Sequence, residues 1–235
     1  MEHGLPRAAG PTPAGPAGPD LDDPRAPQLL ATEHWSLLAT RSLTWSEAFS
    51  RTSMFLSTLS AATVALALAG PAMAFGSAFS LFALIVLSVT MFLGAATFVR
   101  LTQVNNEDLL WVAGMNMLRA SYVEMVPGIE ARFIAGHTLD VAGISRSFGA
   151  IDVIRPSVLH FLVTTPAVVG VISSAIGGVI GGLVGAILGA DMSGAILVGL
   201  VVFVASAAGF SGYAWREGAR YRERLTAMVG GGKGP

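Results

Sequence analysis

Long apolar runs without a single charged residue alternate with shorter polar segments along this chain. Residues 52–99 contain 48 positions without a charged side chain, residues 156–190 contain 35, and residues 192–215 contain 24. A helix needs roughly 20 apolar residues to cross about 30 Å of hydrocarbon, so each run is long enough to span a bilayer. The pattern predicts an all-α, polytopic membrane protein.

The first run is too long for one span, and Gly70, Pro71 and Gly76 interrupt its middle. Glycine and proline together favour a turn, so this run predicts a hairpin over residues 44–99. The other two runs predict a second hairpin over residues 157–214, which turns at 189–191. The four transmembrane helices, TM1 to TM4, are expected near residues 50–70, 77–99, 157–188 and 192–214.

A soluble helical protein with a buried core is the alternative interpretation. The chain is 53% hydrophobic and only 12% charged. A soluble fold would have to bury three charge-free runs that show no polar helix face, which favours the membrane interpretation on hydropathy grounds.

The basic residues predict the orientation of the spans. Residues 1–51 contain four of the 14 Lys and Arg residues, residues 100–155 contain five, and residues 216–235 contain five. Neither hairpin tip has any. Because Lys and Arg stay on the cytoplasmic side, we expect a multi-pass protein of the bacterial inner (plasma) membrane. Both termini and residues 100–156 would then be cytoplasmic.

The polar segments have distinct characters. Residues 1–28 are rich in Pro, Gly and Ala and predict a disordered arm. Residues 29–43 predict an amphipathic helix that lies at the membrane interface or packs on the protein itself. Thr44 and Glu47 fit a capping box, so TM1 is expected to start at Thr44. Residues 215–235 form a basic tail.

Residues 100–156 are expected to form a helical cytoplasmic segment followed by a loop. Apolar residues between Trp111 and Met125 recur at spacings of three and four, which predicts an amphipathic helix that continues TM2 and ends at Pro127. A second short helix is expected over residues 129–134. Residues 136–156 are predicted to form a loop because glycines recur there.

Hydroxyl side chains are frequent in TM1. Two interpretations apply: a polar pore wall, and ordinary helix packing in which the hydroxyls bond within the helix or to a neighbour. The sequence favours packing. The residues concerned are Ser53, Ser57, Thr58, Ser60 and Thr63.

TM3 has glycines at a spacing of four residues. Small residues at this spacing allow two helix backbones to approach closely in lipid, so we expect a closely packed partner. The favoured partner is TM4, through Ala205, Ala208, Gly209 and Gly212, and the alternative is TM3 of another subunit. The glycines are Gly177, Gly181, Gly185 and Gly189, with Gly178 and Gly182 beside them.

The entry to TM3 contains an ionisable group. His160 and Thr164 are one helical turn apart, and they suggest either a polar site or, as the favoured interpretation, an anchor at the interface. Pro156 is expected in the first turn of TM3, and Pro166 is expected to kink the helix because it lacks an N–H.

Three arginines follow TM4 at a spacing of four residues: Arg216, Arg220 and Arg224. One helix face would present them to anionic lipid, where each contributes about 1 kcal/mol near the surface. We interpret this row as a topology anchor, with a specific lipid site as the alternative.

Catalytic and metal-binding patterns are not found in the sequence. The chain has no cysteine, which excludes thiolate metal sites and disulfides. His137 and Asp140 supply only half of a metal site and are interpreted as solvated surface. The spans contain no Asp, Glu, Lys or Arg, which argues against proton-coupled transport. We expect no enzymatic activity, no cofactor, no metal and no nucleic-acid partner.

The chain resembles a family of bacterial four-helix integral membrane proteins to which no activity is assigned. The resemblance covers most of residues 30–165 and implies the same topology. It is carried by residues 33–38, Arg41, Trp45, residues 49–53, residues 105–108 and residues 113–116. A hairpin followed by a cytoplasmic helix is also similar in architecture to SLATT-type pore-forming effectors.

Two functional hypotheses follow. The first is an oligomeric pore or passive conductance, which the hydroxyl-rich TM1, the glycine-rich TM3 and the absence of charge within the spans favour. The second is a non-conducting scaffold or accessory subunit that binds a partner through residues 100–156. The expected partners are the lipid bilayer and either further copies of this chain or another membrane protein.

Overall fold

A computed structural model describes residues 20–148 and 164–230, and within these ranges the protein is helical without strands. This confirms the all-α prediction. The helices are α1 (Ala26–Ala72), α2 (Ser77–Met125), a short 3-10 helix (Ile129–Arg132), α3 (Val141–Ser147), α4 (Thr165–Ile187) and α5 (Met192–Gly230).

Four of these helices, α1, α2, α4 and α5, are long and apolar enough to cross a membrane. α1 has 47 residues and α2 has 49. At about 1.5 Å per residue, each is close to twice as long as a hydrocarbon core is thick. A polar part of each helix therefore extends beyond its apolar part. We call residues 26–51 of α1 and 100–125 of α2 the polar extension.

The helix N-terminus expected at Thr44 is wrong. α1 runs without interruption from Ala26, so residues 29–43 are not a separate helix and residues 26–28 are not part of a disordered arm. The Thr44 hydroxyl donates to the Thr40 carbonyl at 2.8 Å. Glu47 pairs with Arg51 and Arg100 instead of reaching a helix end. A capping-box pattern starts a helix only where the preceding backbone is not already helical.

The entry to TM3 also differs from expectation. α4 starts at Thr165, and its N-cap Thr164 accepts a bond from the Ala167 N–H at 3.4 Å. Pro166 lies in the first turn, where its missing N–H needs no partner, so it begins the helix and does not kink it. His160 and Pro156 lie outside the described residues.

Residues 136–148 are not all loop, as was expected, because α3 occupies Val141–Ser147. Asp140 starts this helix: its carboxylate accepts a bond from the Gly143 N–H at 2.9 Å. An aspartate at this position satisfies an N–H that has no partner within the helix. The loop prediction, which was based on the glycines, did not take account of this N-terminal cap.

α1 and α2 run antiparallel and are joined by a tight turn at residues 73–76. Their contacts pair Leu37 with Gly114 near the polar ends and Phe55 with Gly94 in the apolar part. The turn places Ala74 and Phe75 at positive φ values of 49° and 51°, and the Phe75 ring packs against Gly70.

α4 and α5 form the second antiparallel pair, which packs against α2. Gly189 makes their turn possible because its φ is +91°, a conformation that glycine adopts without strain. The core lies where α1, α2 and α4 meet, and its largest fully buried residues include Phe55, Phe98 and Val169. α2 is therefore the central helix, with α1 on one side and the α4–α5 pair on the other.

Candidate functional site

Six serines lie along one side of α1 at spacings of four, four, three, four and three residues. These spacings keep side chains on one helix face. We call this the serine face: Ser42, Ser46, Ser50, Ser53, Ser57 and Ser60. All six are exposed, and they extend from the polar extension well into the apolar part of α1.

The opposite face of α1 packs against α2. Ala48, Phe55 and Ala62, at seven-residue spacing, are buried there. Because the opposite helix face packs on α2, the serine face points away from the other described helices. The expectation that Ser53 and Ser57 serve helix packing therefore does not hold within this chain. Thr58, Ser60 and Thr63 do bond back to carbonyls of α1 four residues earlier.

The serine face has no charged residue. Glu47 and Arg51 lie beside it and are held by an ion-pair cluster: Glu47 binds Arg51 at 2.8 Å and Arg100 at 3.0 Å. Hydrogen bonds from Arg100 and then Arg51 lower the pKa of Glu47 to about 2. Arg100 also pairs with Glu107 at 3.2 Å, so two carboxylates and two guanidiniums balance each other, and the cluster joins α1 to α2.

The glycines of α4 have a different environment from the serines of α1. A Cβ atom on Gly178 would lie 3.0 Å from the Gly199 carbonyl of α5, and one on Gly182 would lie 3.2 Å from the Ala195 carbonyl. Real Cβ contacts are rarely this short, so α4 and α5 lie nearly backbone to backbone at this level.

The remaining glycines of this group contact side chains or form the turn. Gly181 and Gly185 lie against Val202 and Val198 of α5, and Gly177 lies against Ser206 of α5 and Met91 of α2. Gly189 forms the turn described above. These glycines therefore pack within the chain.

The predicted partner face on TM4 is wrong. A Cβ atom on Gly209 or Gly212 would meet nothing within 4 Å, and Ala205 and Ala208 line a shallow apolar groove on the outside of α5. The residues of α5 that contact the α4 glycines lie on another face. They are Ala195, Val198, Gly199, Val202, Phe203 and Ser206.

A further close approach, which the sequence analysis missed, joins three helices in the apolar part. Gly94 of α2 faces the Ser173 hydroxyl of α4 and the Phe55 ring of α1 so closely that a Cβ atom would overlap both. Ser173 is fully buried, and its hydroxyl has no hydrogen-bond partner. An isolated glycine within the apolar run was the only signal in the sequence.

The polar extension contains a buried ion pair. Arg41 of α1 donates to both carboxylate oxygens of Asp108 of α2, with Nη2 at 3.0 Å from Oδ2. The Asp108 side chain is only 4% exposed, so a carboxylate that is nearly out of water depends on this guanidinium. Two-point pairing of this kind also fixes the register of the two helices.

Asn116 of α2 holds the segment that follows α2. The residue is fully buried. Its amide donates to the Thr138 carbonyl at 2.9 Å, and its Oδ1 accepts bonds from Ser147 at 2.7 Å and Arg119 at 2.9 Å. One side chain therefore attaches both ends of residues 138–147 to α2.

The three arginines after TM4 are exposed on α5: Arg216, Arg220 and Arg224. Arg220 pairs with Glu217 at 3.2 Å, and Arg224 lies over the Tyr221 ring at 5.3 Å. Of the proposed polar site, the described ranges contain only Thr164, whose hydroxyl caps α4.

The described residues do not assemble a metal site, since no three His, Asp or Glu side chains among them lie together. Asp140 caps α3 and also accepts a bond from the Thr138 hydroxyl. No family model, curated protein or solved structure matches this chain.

Proposed function

We propose that several copies of this protein assemble into a membrane pore whose wall is the serine face of α1. The observation that supports the proposal is the exposure of this face on the side of α1 opposite α2. Because the face lies outside the single chain, one chain cannot enclose a water path, and several α1 helices are needed.

Contact between the serine face and lipid is unfavourable. A hydroxyl that leaves water for an apolar environment without a partner costs about 1–3 kcal/mol. A serine can reduce that cost by bonding to its own helix, as Ser60 does at 2.9 Å. Ser53 and Ser57 make no hydrogen bond to any described residue, so water in a shared pore supplies the partners that lipid lacks.

The pore would discriminate little between anions and cations. Charge selectivity in channels comes from rings of charged side chains or from dense carbonyl dipoles. The serine face offers only hydroxyl groups, and the charged neighbours Glu47 and Arg51 are paired with each other. Both termini on the cytoplasmic side of a bacterial inner membrane remain part of the proposal, on the strength of the arginine distribution.

Cysteine accessibility tests the pore, because the chain has no native cysteine. Thiol reagents react with the thiolate, which forms in water and not in lipid. In proteoliposomes, Ser53→Cys and Ser57→Cys should react with a charged methanethiosulfonate and lose ion flux. The control Val201→Cys lies on the exposed apolar face of α5 and should stay unreactive. Absence of flux from the wild-type protein would contradict the proposal.

A non-conducting scaffold is the second candidate, and exposed apolar residues on the polar extension favour it. Trp35 is 71% exposed and Leu43 is 72% exposed, outside the apolar part of α1. Crosslinking from these positions in native membranes separates the two candidates. A pore yields crosslinks only between copies of this chain, whereas a scaffold yields a second protein and conducts no ions.

A further inference from the structure

Arg119 lies in α2 within the polar extension, on the side that residues 136–147 cover. Its Nη1 donates to the Asn116 Oδ1 at 2.9 Å and to the Gly136 carbonyl at 3.3 Å. Both acceptors are uncharged. No described carboxylate lies within ion-pair distance of this guanidinium, although the residue is largely covered.

The other arginines of the polar extension differ in this respect. Arg41 is paired with Asp108, and Arg51 and Arg100 are both paired with Glu47. A covered cation without a partner is unfavourable. Burial and the nearby Arg41 accordingly lower the pKa of Arg119 from its usual value. Among the described residues, Arg119 is therefore the one arginine of the polar extension without a carboxylate partner.

The bonds of Arg119 leave one edge of its guanidinium unused. Both bonds come from Nη1, so Nε and Nη2 donate to no described residue. These two nitrogens form the fork that binds two oxygens of one phosphate or carboxylate. Asn116 and Gly136 hold the group in place from the other side, so the fork is oriented before a ligand arrives.

Tyr122 follows Arg119 by three residues on α2, so the two side chains lie on the same helix face, and His34 of α1 packs on Tyr122. Their rings stack with centroids 6.0 Å apart. Burial, followed by the charge of Arg119, lowers the pKa of His34. A neutral imidazole keeps one N–H to donate, and the tyrosine hydroxyl provides another donor. Both are groups that bind phosphate oxygens.

A lipid headgroup is too far away to be the ligand. Arg119 follows Arg100, where the apolar part of α2 ends, by 19 residues, which is about 28 Å along a helix. The headgroup layer extends only about 5–8 Å beyond the hydrocarbon. The ligand must therefore come from solution.

We propose that Arg119, with His34 and Tyr122, forms a binding site for a soluble phosphate group. The site takes a phosphate monoester or inorganic phosphate in bidentate contact with Nε and Nη2 of Arg119. The site does not depend on the pore, because all of its groups belong to the polar extension of a single chain.

Protection from an arginine reagent tests the site without a mutation. Full-length protein would be treated with phenylglyoxal in nanodiscs of phosphatidylcholine and in a second set that also contains an anionic phospholipid. Each set would be treated with and without about 5–10 mM inorganic phosphate, which is enough to occupy a site of millimolar affinity, at constant ionic strength. Mass spectrometry would follow each arginine. We expect phosphate to slow modification of Arg119 several-fold and to leave Arg132, an exposed arginine of the 3-10 helix, unchanged.

Two outcomes would overturn the proposal. One is equal modification of Arg119 with and without phosphate. The other is protection by anionic lipid in the nanodisc without added phosphate, which would identify a headgroup as the ligand.

Variants give an independent measurement by calorimetric titration of phosphate. Arg119→Lys keeps the charge but loses the fork, and should weaken binding at least tenfold, while Arg132→Gln should bind like the wild-type protein. Unchanged affinity of Arg119→Lys would contradict bidentate binding. Should Arg119→Lys fail to fold, the protection experiment on the wild-type protein still decides the question.

Discussion

The two antiparallel helix pairs of this protein are held together by different interactions. α4 and α5 approach each other through glycine, with the Gly178 and Gly199 backbones in near contact. α1 and α2 are joined by ion pairs in the polar extension and by Phe55 packed on Gly94 in the apolar part. Both pairs contain a helix rich in small residues, yet the glycines of α4 contact a helix of the same chain, whereas the serines of α1 are exposed.

The comparison shows that small residues at helical spacing do not identify their own partner. The glycines of α4 face another helix of the same chain, whereas the serines of α1 face away from the described helices. The first arrangement contributes to the stability of the fold. The second leaves a surface for another copy or for water. Four changes test this distinction, in order of decreasing effect on the helix pairs.

Gly178→Leu should have the largest effect. The new side chain would meet the Gly199 carbonyl, and because this neighbour is backbone it cannot rotate away. Overpacking usually costs about 1–3 kcal/mol and occasionally more, and we expect about 3 kcal/mol here. Thermal unfolding in detergent measures the loss. The matched control is Gly209→Leu, which enters open space and should leave stability unchanged. Equal stability of both variants would show that the pair is not closely packed.

Asp108→Ala should loosen the α1–α2 pair by about 2–3 kcal/mol. Loss of one partner from a buried ion pair usually costs about 3–5 kcal/mol, and the effect is smaller here because Arg41 keeps partial access to water. Chemical denaturation of the purified protein measures it. The double variant Arg41→Met with Asp108→Leu should recover most of the loss. If the double variant is as unstable as the single one, the charge argument is wrong.

Acid should weaken the same pair through Glu47. The pKa of Glu47 is lowered from 4.5 to about 2, so its contribution to stability is complete above pH 4.5 and is lost as the pH falls toward about 2. The side chain is 40% exposed, and exposed pairs contribute about 0.2–1 kcal/mol. We expect Glu47→Gln to reduce the slope of stability against pH in this window. An unchanged slope would exclude Glu47 as its source.

Ser57→Leu should leave both helix pairs intact. Because Ser57 faces away from the chain, unfolding should change by less than about 0.5 kcal/mol. Ion flux in proteoliposomes should nevertheless fall sharply if the serine face lines a pore. Val201→Leu, at an exposed apolar position of α5, is the control for flux. Destabilisation by Ser57→Leu would show that the serine face packs within the protein after all.

The four apolar helices were predictable because charge-free runs of this length have few other stable environments. The ends of the helices were harder to predict. Thr44 and Glu47 have the sequence of a cap, but the preceding residues favour helix as strongly, so the chain stays helical. Pro166 was assigned to the helix interior because the residues before it are equally apolar. Composition does not reveal where an apolar helix starts.

The orientation of each helix face was not predictable. TM4 contains two pairs of small residues that could face α4: Ala195 with Gly199, and Gly209 with Gly212. The structure shows that the first pair contacts α4 and the second does not. Which set contacts α4 depends on how α4 is rotated about its axis, and the contact of Ser173 of α4 with Gly94 of α2 sets that rotation. Asn116 was missed for a similar reason: its role depends on Thr138 and Ser147, which approach it only in the folded chain.

The continuity of α1 has a mechanical consequence. Its 47 residues form one rod of about 70 Å, without glycine between Ala26 and Ala69, so no flexible joint separates Trp35 from Ser60. A rotation imposed near Trp35 must turn the whole rod, and it would change which side chains face a neighbour some 35–40 Å away. Binding of a partner near Trp35 would thereby rotate the part of α1 that lies in the membrane.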